Sequence, residues 1–191
     1  ISPQAKEDPH SREGGEENGE EPGFGLGLPG LASPSLASPS MVAPPLNFAM
    51  AKQVSDGIYR SGFPIACNFV FVRGLHLRSI LCLCPDSVPQ GSFEWAKNEG
   101  INMMLFDLGV NREPFASMST KSMRVVMDFI ADARNRPILV HCLDGKTQTG
   151  CAVGCLRRRQ GWSLGAIFDE YMRFAGPRAK ALDMQFIELF E

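Results

Sequence analysis

One ten-residue segment constrains the fold of this chain more than any other: residues 141–150, with the sequence His-Cys-Leu-Asp-Gly-Lys-Thr-Gln-Thr-Gly. The apolar run at residues 137–140 that precedes it is typical of a buried strand, and a helical pattern follows it at residues 151–160. Cys142 therefore lies at a strand-to-helix turn. Because the unpaired N–H groups of a helix N-terminus attract anions and favour a thiolate, this turn predicts a nucleophile that attacks phosphorus.

Alternating strand and helix patterns extend over the rest of the chain. Short apolar runs predict strands, and apolar residues at helical spacing predict helices. The strands are expected at residues 58–59, 79–83, 101–106 and 137–140, and the other helices at residues 69–75, 93–98, 120–130, 164–174 and 182–190. This alternation predicts an α/β fold with a mainly parallel sheet flanked by helices. Ligands of such sheets bind beyond the carboxyl ends of the strands, which is where Cys142 lies.

Composition divides the chain in two. Residues 1–45 contain eight prolines, seven glycines and six serines, and such a segment cannot bury enough apolar surface to become ordered. We expect a disordered, acidic tail at residues 1–45 and one folded domain at residues 46–191. The tail carries two basic and seven acidic side chains, a net charge of −5, which leaves 17 basic and 14 acidic side chains, a net charge of +3, in the domain.

The charge and the hydropathy of the chain argue against two classes of partner. A net charge of −2 gives no general attraction to nucleic acid or to acidic membranes. No apolar run reaches the roughly 18 residues that a transmembrane helix needs, so we expect no membrane span.

The six cysteines lie mostly in apolar patterns, which argues against a disulfide framework. Reduced thiols predict a cytoplasmic location, with the nucleus as the alternative. Cys82 and Cys84 share one strand face, and Cys151 and Cys155 share one helix face, so a zinc site is conceivable. Since no further cysteine or histidine pair at ligand spacing supports it, we expect neither a metal nor a cofactor.

The loop resembles the His-Cys-x5-Arg-Ser/Thr-Gly signature of cysteine-dependent protein tyrosine and dual-specificity phosphatases. The resemblance implies that Cys142 is the nucleophile and that the Thr149 hydroxyl helps the thiolate to leave. It also implies that the backbone approaches the phosphoryl oxygens at Gly145 and Gly150. In this family, the residue at the position of His141 orders the loop by hydrogen bonding.

Two residues make the loop less positively charged than a loop that binds phosphate. Gln148 stands where the family has the arginine that grips two phosphoryl oxygens in the transition state. Losing one such contact typically lowers the rate by about 100- to 1000-fold. Asp144 adds a carboxylate that repels a dianionic ligand. Lys146 can meet phosphate as a point charge, a less oriented contact than that of arginine.

Four further phrases resemble the plant and fungal atypical dual-specificity phosphatases, a branch that includes inositol pyrophosphate phosphatases. The phrases lie in one unbroken order at residues 44–48, 58–64, 112–115 and 167–175. Members of the branch usually have the basic loop His-Cys-x-Arg/Ser-Gly-Lys-His-Arg-Thr-Gly. At Asp144, Thr147 and Gln148 this chain differs from that loop, and it lacks the arginine and the histidine that hold polyanionic substrates.

Asp107 and Arg112 follow the predicted 101–106 strand, and both are candidates for the site. Asp107 lies where the wider superfamily carries its general acid, and the alternative is that Asp107 caps a turn. The resemblance suggests that Arg112 reaches the substrate, and the alternative is a surface pair with Glu113. The predicted substrate-binding residues are Arg112, Gly145, Lys146, Thr147, Gln148 and Gly150.

The resemblance implies a single dual-specificity-phosphatase-like domain, descended from a phosphohydrolase that forms a phosphocysteine at Cys142. With Gln148 and Asp144 in the loop, the favoured interpretation is a catalytically impaired phosphatase. It would still bind a phosphorylated small molecule, a phosphoprotein or a protein partner. One alternative is an active phosphatase on phosphoproteins or inositol (pyro)phosphates. The other is a sulfurtransferase or redox thiol protein.

Overall fold

The computed structural model describes residues 42–50 and 57–191, and a five-stranded sheet forms its centre. The strands are β1 (Ala49–Met50), β2 (Ile58–Ser61), β3 (Ser79–Cys82), β4 (Asn102–Leu105) and β5 (Ile138–His141). They lie in the order β1-β2-β5-β3-β4. Strands β2, β5, β3 and β4 run parallel to one another, and β1 pairs with β2 in the antiparallel direction. The predicted mainly parallel sheet is confirmed.

Six α-helices lie within the described residues. They are α1 (Phe69–Arg73), α2 (Gln90–Asn98), α3 (Thr120–Ala131), α4 (Thr147–Arg159), α5 (Leu164–Ala175) and α6 (Ala181–Leu189). A short 3-10 turn, Gly176–Arg178, joins α5 to the segment that leads into α6.

Side chains that alternate along the central strands divide the core into two layers. Ile80 of β3 and Leu139 of β5 belong to a buried cluster with residues of α1 and α2. Leu81 and Val140, one position further along each strand, belong to a larger cluster with residues of α3, α4, α5 and α6. Because successive side chains of a strand point to opposite faces, helices cover both faces of the sheet.

The position of β5 places the 141–150 loop over the middle of the sheet. All four residues of β5 are buried. Its last residue, His141, pairs with Ser61 of β2 on one side and with Cys82 of β3 on the other. The loop therefore leaves the sheet between two neighbouring strand ends, which provide partners for its backbone and side chains.

Two features of the fold differ from the sequence prediction. Helix α4 begins at Thr147, four residues before the predicted start, because Gly150 made residues 147–150 resemble a loop: glycine costs about 1 kcal/mol relative to alanine inside a helix. A Cβ atom at Gly150 would lie 2.9 Å from the Tyr171 ring, so the close packing of α5 requires glycine there. Strand β1 was not predicted because two residues show no periodicity.

The predicted tail lies largely outside the described residues, so disorder over residues 1–41 stays a prediction. Residues 42–45, which that prediction also assigned to the tail, are described. The carbonyl oxygens of Ala43 and Pro44 accept hydrogen bonds from Asn68 Nδ2 at 3.1 and 3.2 Å. The packed domain therefore begins before residue 46. Across residues 42–50 and 57–191, no helix is long and apolar enough to cross a membrane.

Candidate active site

Cys142 lies at the base of the loop, directly after β5, and only 1% of its surface is exposed. The loop backbone then turns sharply at Gly145, whose φ is +71°. A Cβ atom at Gly145 would lie 2.5 Å from the backbone nitrogen of Gly62, at the end of β2. Glycine is thus required at residue 145 by the close approach of two backbone segments as well as by the positive φ.

A buried arginine and an asparagine support the loop from the side of the sheet. Arg60 Nη2 donates to Gly145 O at 2.8 Å, and its guanidinium carbon lies 3.8 Å from the centre of the Phe174 ring. Burial lowers the pKa of Arg60 to about 10, so the side chain remains positively charged at neutral pH. Asn47 Nδ2 donates to the backbone oxygen of Asp144 at 2.6 Å. These contacts fix the loop backbone without any ligand.

His141 lies where a loop-ordering residue was expected. Its Nδ1 lies 3.3 Å from the backbone oxygen of Cys142, and its ring packs edge-to-face on Phe63, with the ring centres 5.2 Å apart. The side chain is buried, and its Nε2 has no hydrogen-bond partner among the described residues. The contact with Cys142 fits a role in holding the loop.

The Asp144 carboxylate turns inward, toward Cys142. Its Oδ1 lies 3.7 Å from Cys142 Sγ and accepts the backbone N–H of Lys146 at 3.0 Å. Its Oδ2 accepts a hydrogen bond from Arg178 Nη1 at 2.6 Å. The carboxylate is therefore part of an ion pair and is not the isolated negative charge that the sequence alone indicated.

Gln148 uses its amide group for the scaffold. The side chain is 7% exposed, and its Nε2 donates to Leu83 O at 2.8 Å, just beyond the end of β3. One of the two N–H groups of Nε2 is engaged in this bond, so a single amide N–H and the amide oxygen remain for a ligand. Neither group carries the charge or the paired N–H donors of a guanidinium.

The first turn of α4 places the other predicted loop residues at different depths. Thr147 is half-buried and lines an open cleft above the loop, whereas Thr149 is fully buried. The Thr149 hydroxyl has no hydrogen-bond partner within the described part of the chain. Lys146 contributes its backbone to the loop: its N–H donates to Asp144 Oδ1, and its carbonyl oxygen accepts the N–H of Gly150 at 2.8 Å.

The cleft above the loop has a volume of about 460 Å³ and a basic wall. Arg112, Thr147 and Gln148 line it, and their role in substrate binding stays a prediction. Arg178 and Lys180 also line the cleft, and the sequence prediction missed both. Arg178 ends the Gly176–Arg178 turn and Lys180 follows it, more than 25 residues after the loop, so the fold and not a local motif brings them to the site.

Asp107 lies on the wall of an adjoining cleft of about 380 Å³, together with Cys84, Arg112 and Gln148. Its side chain is exposed, and Oδ1 accepts the backbone N–H of Gly109 at 2.8 Å. This contact caps the turn, as the alternative to a general-acid role for Asp107 predicted. Asp107 also faces the cleft beside Gln148, so the general-acid assignment stays a prediction. Asp86, which the sequence prediction did not single out, lines the same cleft.

A buried polar network holds the segment that carries Arg112. Asn111 Oδ1 accepts the backbone N–H groups of Ser117 and Met118, and its Nδ2 donates to Asp183 Oδ1 at 2.9 Å. Tyr171 donates to the other oxygen of Asp183 at 2.7 Å. Burial raises the pKa of Tyr171, with a further contribution from Asp183, so its hydroxyl remains a donor.

The two cysteine pairs considered in the sequence lie in different surroundings. Burial raises the pKa of both Cys151 and Cys155, which lie in the core. The Sγ atoms of Cys82 and Cys84 lie 3.8 Å apart, close to His141. The hydrogen bond between the two thiols lowers the pKa of Cys82, and an interaction with His141 lowers it further, whereas the same pairing and burial raise the pKa of Cys84.

Comparison with known proteins agrees with this geometry. A family profile described as "Tyrosine phosphatase family" matches residues 42–191. The chain belongs to this family. The membership confirms the resemblance found in the sequence and assigns the Cys142 loop to a phosphatase-family domain.

Three curated relatives show the extent of the similarity. Inositol diphosphatase DSP1 of Oryza sativa subsp. japonica is 46% identical over 147 residues, which are 77% of this chain and 65% of the rice protein. Inositol diphosphatase DSP4 of Arabidopsis thaliana is 45% identical over 147 residues, or 77% of this chain and 73% of the relative. Inositol diphosphatase SIW14 of Saccharomyces cerevisiae is 44% identical over 148 residues, which are 77% of this chain and 52% of the yeast protein. The chain thus spans less than two thirds of the rice and yeast proteins.

A solved phosphatase structure has the same fold. The core catalytic domain of PP-IP phosphatase SIW14 from S. cerevisiae, in complex with citrate, superposes with a TM-score of 0.73 at 42% sequence identity. The match covers 78% of this chain and 88% of that chain. The α/β phosphatase-like fold is therefore confirmed.

Proposed function

We propose that this domain binds a phosphorylated inositol in the cleft above the loop and hydrolyses it far more slowly than an active phosphatase of its family. The observation that carries the proposal is the position of Asp144 Oδ1, 3.7 Å from Cys142 Sγ. A reacting phosphorus must approach the thiolate to about 3–3.5 Å. The carboxylate therefore occupies space that a phosphoryl group needs.

The carboxylate also engages donors that would otherwise serve the substrate. In a loop that binds phosphate, backbone N–H groups at the helix N-terminus face the phosphoryl oxygens. Here the Lys146 N–H and the Arg178 guanidinium both donate to Asp144. A substrate must displace the Asp144 carboxylate before Cys142 can attack, and this displacement adds to the barrier.

The transition state also lacks a charged contact. As the thiolate forms the S–P bond and the P–O bond to the leaving group breaks, negative charge is held on the equatorial phosphoryl oxygens. A guanidinium at residue 148 would stabilise that charge, but Gln148 is neutral and donates to Leu83 O. The missing contact is expected to cost about 100- to 1000-fold in rate.

Ligand binding depends on the cations of the cleft. Arg112 and Lys180 are not engaged by Asp144, and Arg178 joins them once a phosphate displaces the carboxylate, so the cleft attracts a ligand that carries several phosphate groups. Relatives that share 44–46% of the aligned residues are named inositol diphosphatases, which supports a phosphorylated inositol as the ligand. Since the cysteine must be reduced for any of this chemistry, the proposal includes a cytoplasmic or nuclear location.

Calorimetry and phosphate release together test the proposal. The purified chain is titrated with an inositol pyrophosphate, and release is measured for that compound and for an aryl phosphate beside Cys142→Ser. We expect salt-sensitive binding and release close to that of Cys142→Ser. Arg178→Ala and Lys180→Ala should weaken binding, whereas Arg134→Ala, which removes an exposed arginine paired with Asp132, should not. A folded protein that shows no binding would refute the proposal.

An active phosphatase is the second candidate, and one observation favours it. Arg178 is 65% exposed on its side chain, so it can leave Asp144 and follow an entering phosphate. Release well above that of Cys142→Ser would establish this candidate and overturn the impaired one. Formation of thiocyanate from thiosulfate and cyanide would instead favour the sulfurtransferase alternative.

A further inference from the structure

A second group of reactive side chains lies beneath the loop. Cys82 ends β3, Cys84 follows two residues later, and His141 ends β5 beside Cys82 in the parallel register. One ligand atom from each of the three residues lies within 4.8 Å of the other two. The sequence offered the two cysteines but no third ligand, because His141 is remote in the chain and reaches them only through strand pairing.

The spacing of the sulfur atoms fits two thiolates on one tetrahedral ion. Zinc binds sulfur at about 2.3 Å and nitrogen at about 2.0–2.1 Å, which separates two sulfur ligands by about 3.8 Å. The Sγ atoms of Cys82 and Cys84 lie 3.8 Å apart. The histidine nitrogen lies within 4.8 Å of both sulfur atoms.

The surroundings of His141 supply an independent observation. Metal-bound histidines usually donate their other ring N–H to a backbone carbonyl or a carboxylate. His141 Nδ1 lies 3.3 Å from Cys142 O, which leaves Nε2 as the available nitrogen. The residue is 1% exposed, and Nε2 has no partner within the described residues. A buried ring nitrogen without a partner is uncommon, and a metal would satisfy it.

The charge of the three side chains and the access from solvent also suit a divalent metal ion. Two thiolates and a neutral imidazole balance the charge of a divalent ion. Cys84 is half-buried and lines the 380 Å³ cleft, so an ion can enter from solvent and keep a water molecule in its fourth position. We propose that Cys82, Cys84 and His141 form a three-ligand site for a thiophilic divalent ion such as Zn²⁺.

The site is independent of phosphatase activity, so its test uses metal binding as the readout. Metal-free, reduced full-length protein is titrated with Zn²⁺ by calorimetry and with Co²⁺ by visible absorption. We expect one equivalent of Zn²⁺ and the sulfur-to-cobalt and d–d bands of a tetrahedral thiolate site. Cys84→Ser should weaken binding by at least the roughly 10- to 100-fold that follows loss of an outer-shell partner.

Two further variants keep the test decisive. Cys67→Ser removes an exposed thiol outside the cluster and should bind as the parent does. Cys142→Ser should also retain the metal, which would show that the nucleophile is not a ligand. Absence of stoichiometric binding in the parent, or unchanged binding in folded Cys84→Ser, would overturn the proposal. Loss of the metal in Cys142→Ser would overturn the assignment of these three ligands.

Discussion

Arg178 Nη1 lies 2.6 Å from Asp144 Oδ2, and this ion pair joins the turn after α5 to the 141–150 loop. The Arg178 side chain is 65% exposed, so the pair is expected to contribute only about 0–1 kcal/mol. Such a weak pair can hold the carboxylate beside Cys142 in the free protein and still yield to a phosphate. Arg178 thereby links the state of the loop to occupation of the cleft.

Removing the charge of Asp144 should strengthen ligand binding. Asp144→Asn keeps the size of the side chain but ends its repulsion of phosphate and frees Arg178 for the ligand. We expect the dissociation constant of an inositol pyrophosphate to fall by about tenfold, which corresponds to about 1.4 kcal/mol. Calorimetry measures the change. Asp86→Asn removes a carboxylate from the neighbouring cleft and is the matched control. Equal affinities for Asp144→Asn and the parent would contradict the assigned role of Asp144.

Restoring an arginine at residue 148 should raise turnover. Gln148→Arg returns a bidentate contact to the transition state, and we expect a gain of about 100-fold or more with an aryl phosphate. Gln148→Lys supplies charge without the planar fork and should recover less. The substitution also removes the bond to Leu83 O, which should lower stability by about 0.5–1.5 kcal/mol.

A double variant at residues 144 and 148 separates two explanations for low activity, the charges of the loop and the general acid. Asp144→Arg in the Gln148→Arg background should add a further gain, mostly in substrate affinity, although neighbouring substitutions need not be additive. If the folded double variant remains as inactive as Cys142→Ser, the loop charges are not the main defect. The main defect would then be the lack of an effective general acid.

The role of Asp107 can be tested in the Gln148→Arg background. Asp107→Asn keeps an oxygen that accepts the Gly109 N–H, so the turn should survive. If Asp107 donates the proton, turnover of a substrate with a poor leaving group should fall by about 100-fold or more, while an aryl phosphate is affected less. A parallel loss for both substrates, or none for either, would count against the general-acid assignment.

Asn111 should be a major determinant of stability. Asn111→Ala leaves one oxygen of Asp183 and the N–H group of Met118 without a partner in a buried position, where each unsatisfied group costs about 1–3 kcal/mol, and it also removes the partner of the N–H group of the exposed Ser117. Urea unfolding should show a loss of more than about 2 kcal/mol. Asn135→Ala, which removes a single half-buried bond to Phe129 O, is the control and should cost about 0.5–1.5 kcal/mol. Similar losses in the two variants would refute the network argument.

Two truncations test where the domain begins. Deleting residues 1–41 should leave the melting temperature nearly unchanged, as the composition of the tail predicts. Deleting residues 1–45 also removes the carbonyl oxygens that bind Asn68 Nδ2, and it should lower the free energy of unfolding by about 1 kcal/mol. A loss above roughly 2 kcal/mol in the shorter deletion would show that the tail packs on the domain.

Much of the scaffold could be predicted because its signals are local. Apolar runs marked four of the five strands, and the strand-to-helix turn at Cys142 followed from the residues on either side. Contacts between remote residues could not be predicted this way. The spacing of residues in the sequence predicts neither the ion pair of Arg178 with Asp144 nor the bond from Gln148 to Leu83 O. Residue type gave the charges at the site, and tertiary structure determined which of them are paired.

The tight fit of Gly145 against Gly62 has a consequence for how this domain can change over time. The backbone of the loop is held by that approach and by the bond from Arg60 to Gly145 O, and neither contact uses the side chains at residues 144 and 148. Substitutions at those two positions therefore cost little stability: loss of the bond from Gln148 to Leu83 O is expected to cost about 0.5–1.5 kcal/mol. An ancestral activity can weaken by substitutions there without loss of the protein, and the same two positions provide a short evolutionary route by which it can return.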